Sequence, residues 1–182
     1  MHENAMAHMF VVLLTELRRL EAMGWNAMSQ VLDDNAFAYR FDEESNNLIV
    51  LVRHLTGHMR SRFTDFLYTD GEKPWRDRNS EFDHTVRMTR DEVLAEWRSG
   101  WECMFTALRP LTWRDMERTI VVRGEPYTIF DMLTRQIGHY GVHVGQVVML
   151  SKHLTRDRWV TLSLPRGVTE AGPFHGRGLG AW

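Results

Sequence analysis

The stretch Asp131–Leu154, DMLTRQIGHYGVHVGQVVMLSKHL, constrains the fold more than any other part of the chain. Within it Met132, Gln136, His139, His143, Gln146 and Leu150 follow one another at steps of four, three, four, three and four. That is the spacing of a heptad stripe, which gives an α-helix one face to turn towards neighbouring helices. A helix that only packs would fill such a stripe with Leu or Ile, whereas the middle of this one is polar. His139 and His143 stand four residues apart, so their rings lie on one face, one turn apart. Two imidazoles so placed can share one metal ion if a third ligand comes from another element. They are also compatible with a pair of packed core histidines, and the helix alone leaves both readings open.

A helix with this face needs partners, and the sequence supplies three. Helix one is expected over about Ala5–Leu32, with Phe10, Leu13, Leu14, Leu17 and Leu20 as its apolar stripe. Helix two is expected from an N-cap at Ser45 to about Tyr68, burying Leu48, Leu51, Val52, Leu55, Met59, Phe63 and Phe66. Helix three opens at Thr89 with Glu92 completing a capping box and runs to about Leu108, before Pro110. Thr128 and Asp131 form a similar signal for helix four, which ends around His153. Four long amphipathic helices make an all-α bundle, a fold whose core can host a metal between facing helices. The connections are long. Ala36–Glu44 reads as extended, and Thr69–Met88 as a crossover or lid that Trp75 and Phe82 could pin to the bundle. Thr112–Met116 reads as a short helical turn. The β-branched run Thr119–Arg123 before Gly124-Glu125-Pro126 reads as a small extended clip or hairpin. A single domain is expected over residues 1–164, followed by a Gly/Pro-rich tail, 165–182, that stays loosely ordered unless a partner holds it.

Bulk properties remove several function classes. The chain has 182 residues and a net charge of −2, which leaves no basic footprint for nucleic acid. No apolar run has the length needed to span a bilayer. The apolar run Met9–Leu14 is short and is followed by Glu16, Arg18 and Arg19, so the start reads as a first helix and not as a targeting signal. The single cysteine, Cys103, rules out a disulfide framework within the chain and fits a cytoplasmic protein. No His or base lies beside it in sequence, so it reads as a packed thiol. There is no Gly-rich phosphate loop and no hydrolase motif. Helix two carries a second pair of histidines four apart, His54 and His58, and helix phase does not choose between them.

Four blocks carry a family resemblance: FDEESNNLIVLVRHLTGHMRSRFTDFLYTDGEKPWRDRNSEF at Phe41–Phe82, RGEP at Arg123–Pro126, RQIGHYGVHVGQ at Arg135–Gln146 and SLPRG at Ser163–Gly167. Over about Met9 to Gly167 the chain resembles the DinB-like (YfiT-type) metal-binding bundles, and within them a small bacterial branch of unassigned function. The resemblance implies an up-down four-helix bundle with a three-histidine site, one ligand from helix two and two from helix four. Carried onto this sequence the ligands are His54, His139 and His143; the branch usually has another residue where this sequence has His58, so helix two offers a choice and His58 is the alternative to His54. Three imidazoles leave a divalent ion with an open position, the arrangement of catalytic sites. Zinc is the default and nickel also suits imidazole. Relatives with known activity include thiol-dependent S-transferases and a thiol-dependent isomerase. The resemblance therefore implies a metal-dependent transferase in which a low-molecular-weight thiol attacks an electrophile. A metal-dependent hydrolase and a non-catalytic metal-binding or stress-associated protein are the alternatives. Gln136 and Gln146 are expected to orient the ligands or the substrate, Trp75 to form an apolar wall, and Arg62 or Arg78 to anchor an anionic thiol. A homodimer is expected from the resemblance, and seven tryptophans with eleven methionines are in keeping with it.

Overall fold

The apolar stripes fold as helices in the computed structural model, which describes residues 2–163. In chain order α1 spans His2–Met28, α2 Leu48–Phe63, α3 Arg78–Glu81, α4 Arg90–Leu108 and α5 Ile129–Thr155. α3 is a single turn; the other four are the bundle. α1 packs chiefly on α5 and α2 on α4, while contacts of α2 with α5 and of α1 with α4 close the ring. Leu17, Met28, Leu48, Leu55, Met59, Trp97, Trp101, Met104, Tyr140, Val144 and Val147 fill the interior. Each large apolar side chain buried this way contributes about 1.5–3 kcal/mol, so apolar burial accounts for most of the fold's stability. The expected all-α bundle with long connections and a small clip before the last helix is what forms. No helix among the described residues is long and apolar enough to cross a membrane.

The helix ends differ from expectation where a local side chain wins the cap. α1 stops at Met28, short of Leu32, because Asp33 caps a 3-10 turn over Asp34–Ala38 by accepting from the Asn35 N–H. That turn replaces part of the expected extended connection and buries Phe37. α2 starts at Leu48, not near Ser45. The Asn47 side chain accepts from Val50 N–H at 2.9 Å, while Ser45 donates its N–H and its hydroxyl to Asp42. α2 ends at Phe63, well before Tyr68, as Thr64 turns extended and Asp65 takes a positive φ of 48°. The capping boxes Thr89–Glu92 and Thr128–Asp131 both form. A further box, Thr112–Asp115, caps the short helical turn Trp113–Asp115.

The clip is an antiparallel hairpin of β1, Thr119–Val122, and β2, Glu125–Thr128. It turns at Arg123 and Gly124, with φ of 56° and 77°, a conformation that glycine adopts without a Cβ clash. The hairpin is tied to the long crossover. Gly71 N–H donates to the Val121 carbonyl at 2.9 Å, and the Asp70 carboxylate accepts from Arg123 N–H at 2.8 Å and Gly124 N–H at 2.7 Å. After α5 the chain is held against the end of α1 by Gln30, which accepts from Val160 N–H at 2.7 Å and donates to the Val160 carbonyl at 3.1 Å. The tail 165–182 and the 1–164 domain boundary lie outside the described residues.

Candidate metal centre

α2 and α5 bring together His54, His139 and His143, whose ligand atoms all lie within 4.8 Å of one another. Tetrahedral ligands at ~2.1 Å from one ion stand roughly 3.4 Å apart, so the three rings must draw closer together to share one. The three rings meet edge to face, with centroids 5.6 Å apart for His54–His139, 5.0 Å for His54–His143 and 4.9 Å for His139–His143. His58 is not a member of this group. Its Nδ1 lies 3.2 Å from the Tyr140 hydroxyl, inside the bundle, and its ring centroid is 4.5 Å from that of His139.

Two of the three imidazoles are already oriented through Nδ1. His54 Nδ1 donates to Glu81 Oε2 at 2.9 Å, and His143 Nδ1 donates to Gln146 Oε1 at 2.8 Å. Each bond leaves Nε2 with its lone pair turned elsewhere, the arrangement in which an outer carboxylate or amide fixes the tautomer of a metal-ligating histidine. The electrostatics agree. Burial, then the neighbouring His143, pushes His139 down to about 4. Burial also lowers His143. Both rings are neutral at pH 7 and available as ligands. Burial and then His139 hold His58 well below its ordinary value, and burial holds the Tyr140 phenol well above its own, so that contact is between neutral groups.

Glu81 is the residue the sequence reading missed. It sits at the end of α3, whose N-cap Asp77 accepts from Asn79 N–H and Ser80 N–H. Arg76 grips the Glu81 carboxylate with two hydrogen bonds, of 2.7 and 2.9 Å. Burial alone would raise this carboxyl, but the hydrogen bonds from His54 and Arg76 bring it below the usual carboxylate range. The approach depends on Gly57 of α2, where an added Cβ would overlap the Glu81 carboxylate. Phe82, next in sequence, packs its ring 4.8 Å from that of His54. The Asp77-to-Glu81 spacing was the only signal in the sequence, and it marks a capped turn without saying where the turn docks.

The other expected site residues divide. Arg62, Arg78 and Gln136 line one cavity of about 520 Å³ together with His54, His58 and His139. Gln146 is exposed and reaches the site only through His143. Trp75 is 58% exposed and does not line that cavity. Phe82, not Trp75, therefore supplies the aromatic contact between crossover and site. Cys103 lines a separate hollow with Phe63, Phe66 and Tyr68, and its nearest polar partner is the Thr64 hydroxyl at 4.0 Å.

A family model described as a protein of unknown function (DUF1572) matches residues 5–168. No curated protein and no solved structure matches the chain.

Proposed function

The chain belongs to the DUF1572 family, and from that premise we propose that it is a metal-dependent enzyme of the DinB-like class. It holds one divalent ion, zinc or nickel, on His54, His139 and His143 and activates a low-molecular-weight thiol for transfer to an electrophile. The observation that carries this reading is the convergence of three imidazoles, two of them fixed through Nδ1 by Glu81 and Gln146. A divalent ion bound there supplies a Lewis acid that keeps a small thiol ionised at neutral pH.

The chain's own groups do the rest. Glu81 and Gln146 orient two ligand rings, and burial keeps His139 and His143 unprotonated. Glu81 is committed to His54 and Arg76, so the carboxylate nearest the cluster is not free to deprotonate water. Its role is therefore to orient His54 and not to act as a general base, and the choice between thiol transfer and hydrolysis by metal-bound hydroxide rests on the assay below. In the transfer a C–S bond forms and the leaving group departs with the electron pair of the bond that breaks.

The test mixes zinc-loaded protein, metal-stripped protein and a His143→Ala variant with several cellular thiols and a chlorinated nitroarene or a bimane. Thioether formation by the loaded wild type alone is the expected outcome. Equal rates for all three proteins would reject metal-activated transfer to that electrophile, and metal-dependent ester cleavage without thiol would assign a hydrolase.

A further inference from the structure

The cavity beside the histidines is lined by five arginines from separate parts of the chain: Arg62 of α2, Arg76 ahead of α3, Arg78 at its start, Arg123 in the hairpin turn and Arg135 of α5. Two of them are taken. Arg76 is bound to Glu81, and Arg123 Nε donates to Glu72 at 2.9 Å. Among the described residues Arg62, Arg78 and Arg135 make no hydrogen bond, though Arg78 lies over the Phe82 ring at 4.9 Å, and the one carboxylate in the lining is Glu125.

Arg62 is the informative one. It is only 6% exposed, yet its Nε and Nη1 are buried with no hydrogen-bond partner among the described residues. Its nearest carboxylate oxygen, on Glu72, is 3.8 Å from Nη2, too far for a hydrogen bond. In the same cavity the Gln136 amide oxygen, an acceptor, is also buried with no partner among the described residues, so a ligand that also carries a hydroxyl could donate to it. Buried donors and charge left unpaired are costly in a folded protein unless a ligand or water completes them. The planar guanidinium fork is matched by a carboxylate or a phosphate, which accepts two of its N–H groups at once.

The geometry points to a binding site for a small organic oxyanion, carboxylate or phosphate, seated on the Arg62 guanidinium and drawn in by the more exposed Arg78 and Arg135. Because His54 and His139 line the same cavity, an anion held there has its remaining atoms next to the histidine cluster. The substrate of the proposed transfer, thiol or electrophile, is then an acid or a phosphate ester and not a neutral molecule. The binding site itself stands on the arginines; its assignment to substrate rests on the transfer reading.

Calorimetric titration separates the two. The probes are L-malate for carboxylate, inorganic phosphate for phosphate, and dimethyl malate as the uncharged control, each added to metal-stripped and to zinc-loaded protein. One or both anions should saturate the wild type, more weakly at high salt, and the ester should not. Arg62→Gln should weaken that binding by roughly tenfold or more, in line with the strength of a charge-assisted bidentate pair. Arg135→Gln, at an exposed position where folding is not at stake, should weaken it by a smaller factor. Arg109→Gln, a charge change outside the cavity, should leave it unaltered. The anion that saturates at the lower concentration identifies the group. No saturation by either anion, equal binding of the ester, or full affinity in both Arg62→Gln and Arg135→Gln would overturn the site. Anion binding by a protein that takes up no metal would keep this site and remove the transfer reading; metal uptake without anion binding would do the reverse.

Discussion

At the scale of single residues, the Glu81–His54 bond is the contact on which the site's affinity should turn. Glu81→Gln keeps an acceptor for His54 Nδ1 but removes the charge that makes the ring a better ligand. Losses for such outer partners are roughly 10–100-fold in metal affinity, measurable by competition with a chelating dye. Unchanged affinity would mean that Glu81 serves Arg76 and not the metal centre. His58→Ala should leave metal occupancy intact, since His58 stands outside the three-ligand group and bonds Tyr140. Acid should unfold the metal-stripped protein. Folded, His139 titrates at about 4 and His58 well below its ordinary value, whereas both return to about 6.5 in the unfolded chain. Between those values the unfolded chain binds protons that the folded one does not, so stability is lost as pH falls through that window. A thermal midpoint that stays flat from about pH 7 to about pH 4.5 would contradict this. The two α5 histidines were legible in the sequence because helical spacing is local information. Glu81 was not, because it reaches His54 across 27 residues of chain through a docked turn.

At the scale of elements, α5 shows how far a heptad reading carries. Met132, Gln136 and Leu150 are buried as the stripe requires, but Gln146 is exposed and the inward line runs through Tyr140, Val144 and Val147. A straight helix drifts about 20° per heptad from a strict 3.5-residue repeat, so a stripe read over three heptads cannot stay central throughout. His139 and His143 fall on the flank as a result, half-buried and facing α2. The helix starts at Thr89 and Thr128 were readable because a capping box is a local exchange of hydrogen bonds. The start of α2 was misplaced because Ser45 and Asn47 are both good caps, and Asp42 claims the first. Thr128→Ala should destabilise the protein by about 1 kcal/mol in urea unfolding. Gly57→Ala should displace the Glu81 carboxylate from α2, with the ~1 kcal/mol that alanine gains over glycine in a helix interior offsetting part of the cost in stability. It should also weaken metal binding although residue 57 is not a ligand. A Gly57→Ala protein of full metal affinity would show that the close approach of Glu81 is incidental.

At the scale of the whole molecule, the bundle is held by apolar burial and the three-histidine cluster sits on its flank. Removing the ion should therefore leave the helical circular-dichroism signal in place, unlike a small domain that folds only around its metal. We propose in addition that the protein pairs with a second copy of itself. Val142 and Met149 of α5 and Val11 and Val12 of α1 are exposed, and light scattering at micromolar concentration should give twice the monomer mass. A monomer mass at every concentration would remove that proposal without touching the site. Elemental analysis of protein purified without a nickel column decides whether His54, His139 and His143 hold one divalent ion per chain. The wild type and His58→Ala should each carry, or take up from added zinc, one ion per chain, while His54→Ala, His139→Ala and His143→Ala carry none. A wild type that binds no ion at micromolar zinc or nickel would rule the site out, and a His58→Ala protein that is empty while His54→Ala is full would move the third ligand to His58.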